Sequence, residues 1–154
     1  MLSPFGASEF PFPKSCHAYL SGIQSVPSGA WTVVGLNAVS WDTYSMYNGG
    51  ADQYITIAEE GLYLIVSKVQ TTALITSPLG GAVYRNGVFD MGYLVAQNSY
   101  GVTHVMVAYI NMLNADDKLD LRVLWTGTGS IDIGNSWNNC FLQVLKMPYI
   151  TKGY

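Results

Sequence analysis

Gly61-Leu62-Tyr63-Leu64-Ile65-Val66-Ser67-Lys68-Val69 is apolar at nearly every position. Successive residues of a strand point to opposite faces, so a run with so little alternation predicts a strand covered on both sides. Residues 102–113 have the same character, with His104 as the lone ionisable group. Outward from these two runs (61–72 and 102–113), segments 31–36, 54–58, 81–84, 88–95, 119–125 and 140–147 are rich in Val, Ile, Tyr, Thr and Trp. Those residue types suit a pleated, half-buried surface. Turn signals separate the segments: Pro27-Ser28-Gly29, Asn48-Gly49-Gly50, Asn86-Gly87, Asn98, residues 114–117 and residues 127–129. No stretch shows helical periodicity closed by caps. Strands at this spacing predict an all-β sandwich or jelly roll. Double cover of its two most apolar strands implies sheet packing on one side and a partner chain on the other.

The 154 residues make one domain, and only 11% of them are charged against about 25% in an ordinary soluble protein. So few charges leave a surface that is uncharged polar, buried against other chains, or both. The seven basic residues (Lys14, Lys68, Arg85, Lys118, Arg122, Lys146, Lys152) are scattered and the net charge is −3. Nucleic acid is thereby excluded as a partner, because neutralising phosphates needs clustered cations. No apolar run approaches the ~20 residues of a membrane-spanning helix. The start, Met1-Leu2-Ser3-Pro4-Phe5, has no basic-then-apolar leader, so synthesis in a reducing cytoplasm is expected. Residues 1–15 read as an extended arm in which Pro4, Pro11 and Pro13 interleave with Phe5, Phe10 and Phe12. Residues 16–154 read as the domain. The three phenylalanines need a surface to bury against and are the candidate anchors on a partner.

Chemistry is sparse. With two histidines, His17 and His104, and no Gly-x-Ser-x-Gly elbow, no nucleophile, base and orienter are set up to converge. Asp116, Asp117 and Asp120 form the one carboxylate cluster; it lacks the ligand number of a calcium loop and reads as a solvated turn. Glu59-Glu60 reads the same way. No phosphate loop, dinucleotide fingerprint or metal motif is present, so the expectation is a non-enzyme without cofactor or metal. Trp137, in Gly134-Asn135-Ser136-Trp137-Asn138-Asn139, is the candidate ligand-loop residue: it either caps the sandwich or packs at a trimer seam, or stacks on a sugar.

Several segments together resemble the superfamily of tumour-necrosis-factor-like domains and complement globular heads. Gly61-Leu62-Tyr63-Leu64-Ile65 is similar to its Gly-x-Tyr-x-Phe strand, and Leu36, Asp42, Tyr47 and Ile55 approximate the spacing upstream of it. Val83-Tyr84-Arg85-Asn86-Gly87 is similar to its Leu-Tyr-Lys-Asn-Gly hairpin, and residues 113–119 to its Leu-Asn-Ala-Gly-Asp turn. Residues 141–146 resemble its closing strand. Ile65 and Ser67 depart from the aromatics usual there. The opening Tyr19 to Ser25, with Trp31-Thr32, resembles the short forms carried by bacterial viruses.

The resemblance covers about residues 17–147 and implies a ten-strand jelly roll that forms homotrimers through an apolar face. On that basis Tyr63, Ile65, His104 and Tyr109 are the expected trimer-interface residues. The implied role is a structural virion protein on the capsid surface: a decoration protein held to the major capsid protein partly by its arm. The alternative is the receptor-binding head of a tail or head fibre, reading host surface glycan or protein. The resemblance also sets the first and last strands side by side, so Cys16 and Cys140 are expected close together yet, in a reducing compartment, as free thiols.

Overall fold

A computed structural model of the chain describes residues 13–50, 53–95, 103–136 and 138–148. The described residues form thirteen strand segments and no helix: β1 (Ser15–Tyr19), β2 (Ile23–Pro27), β3 (Trp31–Val33), β4 (Ala38–Asp42), β5 (Tyr47–Asn48), β6 (Tyr54–Thr56), β7 (Gly61–Gln70), β8 (Leu79–Arg85), β9 (Val88–Val95), β10 (His104–Leu113), β11 (Lys118–Trp125), β12 (Ser130–Gly134) and β13 (Phe141–Lys146). One sheet has the order β10-β7-β13-β1-β4. The other runs β5-β6-β11-β8-β9, with β3 also paired to β11, and β2 with β12 forms a separate ribbon. The two sheets pack face to face as the jelly-roll sandwich that the two apolar runs predict.

The longest ladder joins those two runs, β10 to β7, from His104 opposite Gln70 to Leu113 opposite Gly61. The core lies between the sheets. From the first sheet it takes Cys16, Ala18, Tyr63, Ile65, Val69, Val105, Leu142 and Val144; from the second, Leu79, Val83, Leu119, Leu121, Val123 and Trp125. Tyr63 satisfies its hydroxyl there by donating to the Glu59 carbonyl at 2.9 Å. The hairpin between β8 and β9 turns on Asn86 and Gly87, both at positive φ (54° and 80°), the backbone that an Asn-Gly pair favours. Asp117 locks the turn beside it. Its carboxylate accepts from Asn86 Nδ2 at 2.7 Å and from the Asn114 amide at 2.8 Å.

β1, β2, β4, β5 and β12 are not visible as strands in the sequence. They are short, and polar residues interrupt them. The sandwich also begins earlier than residue 16, because Ser15 opens β1 and the Lys14 carbonyl accepts from the Lys146 amide at 2.8 Å. Residues 1–12, with Phe5, Phe10 and Phe12, lie outside the described residues, as does Trp137.

The cysteine expectation divides. β1 and β13 are neighbours, and both cysteines are buried free thiols. They are not close: Cys16 pairs with Val144, while the Cys140 carbonyl accepts from the Leu20 amide four residues further along. At about 3.3 Å per residue that offset is about 13 Å, well beyond the ~4.4–6.8 Å between the Cα atoms of a disulfide.

Candidate functional site: the outer face of the five-stranded sheet

Because Tyr63, Ile65, Ser67 and Val69 of β7 turn inward, Leu62, Leu64, Val66 and Lys68 turn outward. The same parity on β10 puts His104, Met106, Ala108, Ile110 and Met112 outside. Register then assembles rows across the sheet. Met106 lies beside Lys68, Phe141 and Tyr19. Ala108 lies beside Val66, Gln143, His17 and Trp41, and Ile110 beside Leu64, Leu145 and Ser15. Four strands about 4.8 Å apart and some 20 Å of strand length give a largely apolar face on the order of 300 Å². Ile110 leaves 55% of its surface in solvent. A patch of this order is comparable to the largest that an ordinary monomer exposes, which is where function often lies.

The face is firm at its far side and pinned at one end. His17 is buried between the Trp41 ring, stacked at 4.6 Å, and the Phe141 ring at 4.9 Å. Burial holds its imidazole below the ordinary histidine range, which keeps this part of the face uncharged at neutral pH. At the end, Glu59 accepts hydrogen bonds from both Lys14 and Lys146, tying together the loop before β7, the start of β1 and the end of β13. Those two bonds hold the Glu59 carboxyl below its ordinary range. Gly61 makes room for this: a Cβ there would sit 2.5 Å from Lys146 Cε.

Of the residues expected at the interface, His104 alone lies exposed on this face. Tyr63 and Ile65 are 0% exposed inside the sandwich, which corrects their assignment. Tyr109 is also on the inward-turned side of β10. Its hydroxyl donates to Asp90 at 2.6 Å, and Asn111 Nδ2 donates to the same carboxylate at 3.2 Å. Burial, reinforced by the Asp90 carboxylate, pushes the Tyr109 hydroxyl far up. The residues that the parity turns to the outer face are Leu62, Leu64, Val66, Met106, Ala108, Ile110 and Met112.

The carboxylate cluster is divided among structural contacts. Asp117 is buried at the turn, and Asp120 holds Arg122 in a two-point pair at 2.6 and 3.2 Å. Among the described residues no three His, Cys, Asp or Glu side chains converge as a metal site.

No protein-family model and no curated protein sequence matches the chain. Solved structures do. Murine APRIL superposes with a TM-score of 0.69 at 17% identity, over 88% of this chain and 99% of that one. The Eiger TNF of S. frugiperda gives 0.61 at 16% identity, over 88% and 93%. The globular domain of zebrafish complement 1qA protein gives 0.63 at 11% identity, over 88% and 98%. The fold is therefore the all-β jelly roll shared by tumour-necrosis-factor-like domains and complement globular heads.

Proposed function

We propose that this chain is a non-enzymatic assembly protein that acts as a homotrimer, with the outer face of the five-stranded sheet as its self-association surface. The observation that carries this is the row of Met106, Ile110, Met112, Leu62 and Leu64, exposed on a chain with very few charges. A closed ring uses two different surfaces of each copy, so that the edge of one covers the face of the next. Light scattering on the purified protein should give three times 16.8 kDa. A monomer or dimer that resists concentration refutes the reading.

The assembly we propose for the trimer is a bacteriophage particle, where it decorates the capsid surface and its Pro/Phe arm seats on the major capsid protein. Support for this comes from the Tyr19–Ser25 opening, which resembles short phage forms, and from the adhesive composition of residues 1–15. Imaging the labelled protein on particles tests it, and exclusive labelling of fibres would favour the second reading. That reading, a receptor-binding head, is favoured by one observation: a half-buried aromatic cluster on the opposite sheet whose Phe89 is half in solvent.

A further inference from the structure

The outer surface of the second sheet carries a cluster that self-association through the first sheet leaves open. Trp31 on β3, Tyr84 on β8 and Phe89 on β9 meet edge to face, with ring centres 5.8–6.4 Å apart. The Arg122 guanidinium lies 3.9 Å over the Tyr84 ring and is fixed there by Asp120. Beside the rings the strand is packed over: Gly80 lies under Trp31, Leu124 and Leu94, and Ala82 is fully buried. Gly80 and Ala82 of β8 face Leu94 and Gly92 of β9, and a Cβ at Gly92 would come within 2.5 Å of the Ala82 Cβ. Leu94 and Phe89 are exposed by 59% and 51% on this surface.

Phe89 is also one wall of a cavity of about 390 Å³ lined by Arg85, Asn86, Val88, Phe89 and Asp90. That volume falls within the ~300–1,000 Å³ of small-ligand pockets. Its polar groups are held in place: Arg85 Nη1 donates to the Met112 carbonyl at 3.1 Å, Asn86 bridges to Asp117, and Asp90 accepts from Tyr109 and Asn111. Preorganised donors and acceptors beside an exposed ring are what orient a polyol. Charge decides the class of ligand. Arg122 is paired with Asp120 and Arg85 with Asp117, and Asp90 adds a further carboxylate. An anionic ligand meets no unpaired cation there, whereas an uncharged ring with an apolar face and hydroxyl edges matches both the rings and the cavity.

We propose that this surface, from the cavity at the β8–β9 hairpin to the Trp31–Tyr84–Phe89 cluster, binds a neutral saccharide. The inference deepens the receptor-binding reading; Arg85 and Asp90 bond to β10, the edge strand that the proposed trimer uses, so mass and binding are read on the same samples. The test applies the full-length protein to an array carrying neutral, sialylated and phosphorylated glycans, followed by calorimetric titration with each neutral glycan retained. At least one neutral glycan is expected to bind. Phe89→Ala and Asp90→Asn should each weaken it about tenfold, and Leu74→Ser, on an exposed residue outside the site, should not. Phe89 is half in solvent, so its truncation keeps the fold and the test open even where Asp90→Asn disturbs Tyr109. Retention of no neutral glycan, retention of acidic glycans alone, or affinity unchanged in Phe89→Ala overturns the proposal. Molecular mass recorded on the same samples separates the outcomes. A glycan-binding monomer sinks the assembly reading alone, and a trimer without glycan binding sinks this one alone.

Discussion

Ile110→Asp should convert the proposed trimer to a folded monomer. Ile110 sits mid-row on β10 opposite Leu64, with 55% of its surface in solvent in the single chain. Burying an isoleucine fully contributes about 1.5–3 kcal/mol, so covering the exposed half contributes roughly 0.8–1.6 kcal/mol per copy. Three copies make about 2.5–5 kcal/mol per trimer, which Ile110→Ala would largely remove, shifting the association constant by roughly two to three powers of ten. Aspartate adds an unpaired carboxylate in an apolar contact, several kcal/mol more. The assay is sedimentation velocity across a dilution series, with thermal melting by circular dichroism as the check on folding. Tyr63→Phe is the matched control. It removes the core hydrogen bond to the Glu59 carbonyl, so it should lower the melting temperature and leave the mass unchanged. The reasoning fails if Ile110→Asp keeps the trimer's mass at micromolar concentration, or if Tyr63→Phe dissociates it.

Glu59 has its carboxyl depressed by hydrogen bonds from Lys14 and Lys146. Its contribution is therefore complete above the ordinary value of 4.5 and is lost as pH falls through the lower folded value. Melting temperatures of wild type and Glu59→Gln should differ at pH 6 and converge in strong acid; a constant gap across that range refutes the linkage. Burial, aided by Asp42, raises the Cys16 thiol to about 12, and burial raises Cys140 to about 11. Ellman titration at pH 8 should accordingly find no fast thiol in the native protein and two per chain after denaturation. Deleting residues 1–12 should leave the melting temperature and the mass nearly unchanged while abolishing binding to the particle. A truncated protein that cannot fold would place the arm in the core instead.

The fold was legible because its two central strands are long, and their neighbours announce themselves by turn chemistry. Residues 61–72 and 102–113 foreshadow β7 and β10 to within a few residues at each end, and Asn86-Gly87 marks the hairpin between β8 and β9. What escaped was whatever depends on partners far along the chain. β1 is Ser-Cys-His-Ala-Tyr, with neither length nor alternation to mark it, and it forms because β13 and β4 supply ladders on both sides. β2 and β12 pair with each other, and β12 also bridges to Thr71 beyond the end of β7. The cysteine expectation failed in the same way: strand adjacency follows from topology, but the four-residue offset is a matter of register.

The error in turning Tyr63 and Ile65 outward was one of parity, and the information to avoid it was present. A strand apolar on both faces does not say by alternation which face is inward, so Tyr63 and Ile65 were as eligible as Leu62 and Leu64. Lys68 breaks the tie, because a lysine almost never turns into a core unpaired. Its face is therefore the outer one, and Leu62, Leu64 and Val66 share it by the two-residue period. Pairing then carries that parity across the sheet, since Lys68 opposite Met106 sends Ala108, Ile110 and Met112 outward as well. His104 obeys the rule, and Tyr109, one residue off the outward set, ends on Asp90 instead. No comparable marker exists for the aromatic cluster. Trp31, Tyr84 and Phe89 come from three strands, and their meeting needs both the pairing of β11 with β3 and β8 and the register shift between β8 and β9 after Val83. A β-bulge re-aims a side chain without leaving a residue-type signature of its own. It is that shift which sets Phe89 opposite Tyr84, so a ligand surface at this hairpin is a property of the folded register and not of any motif.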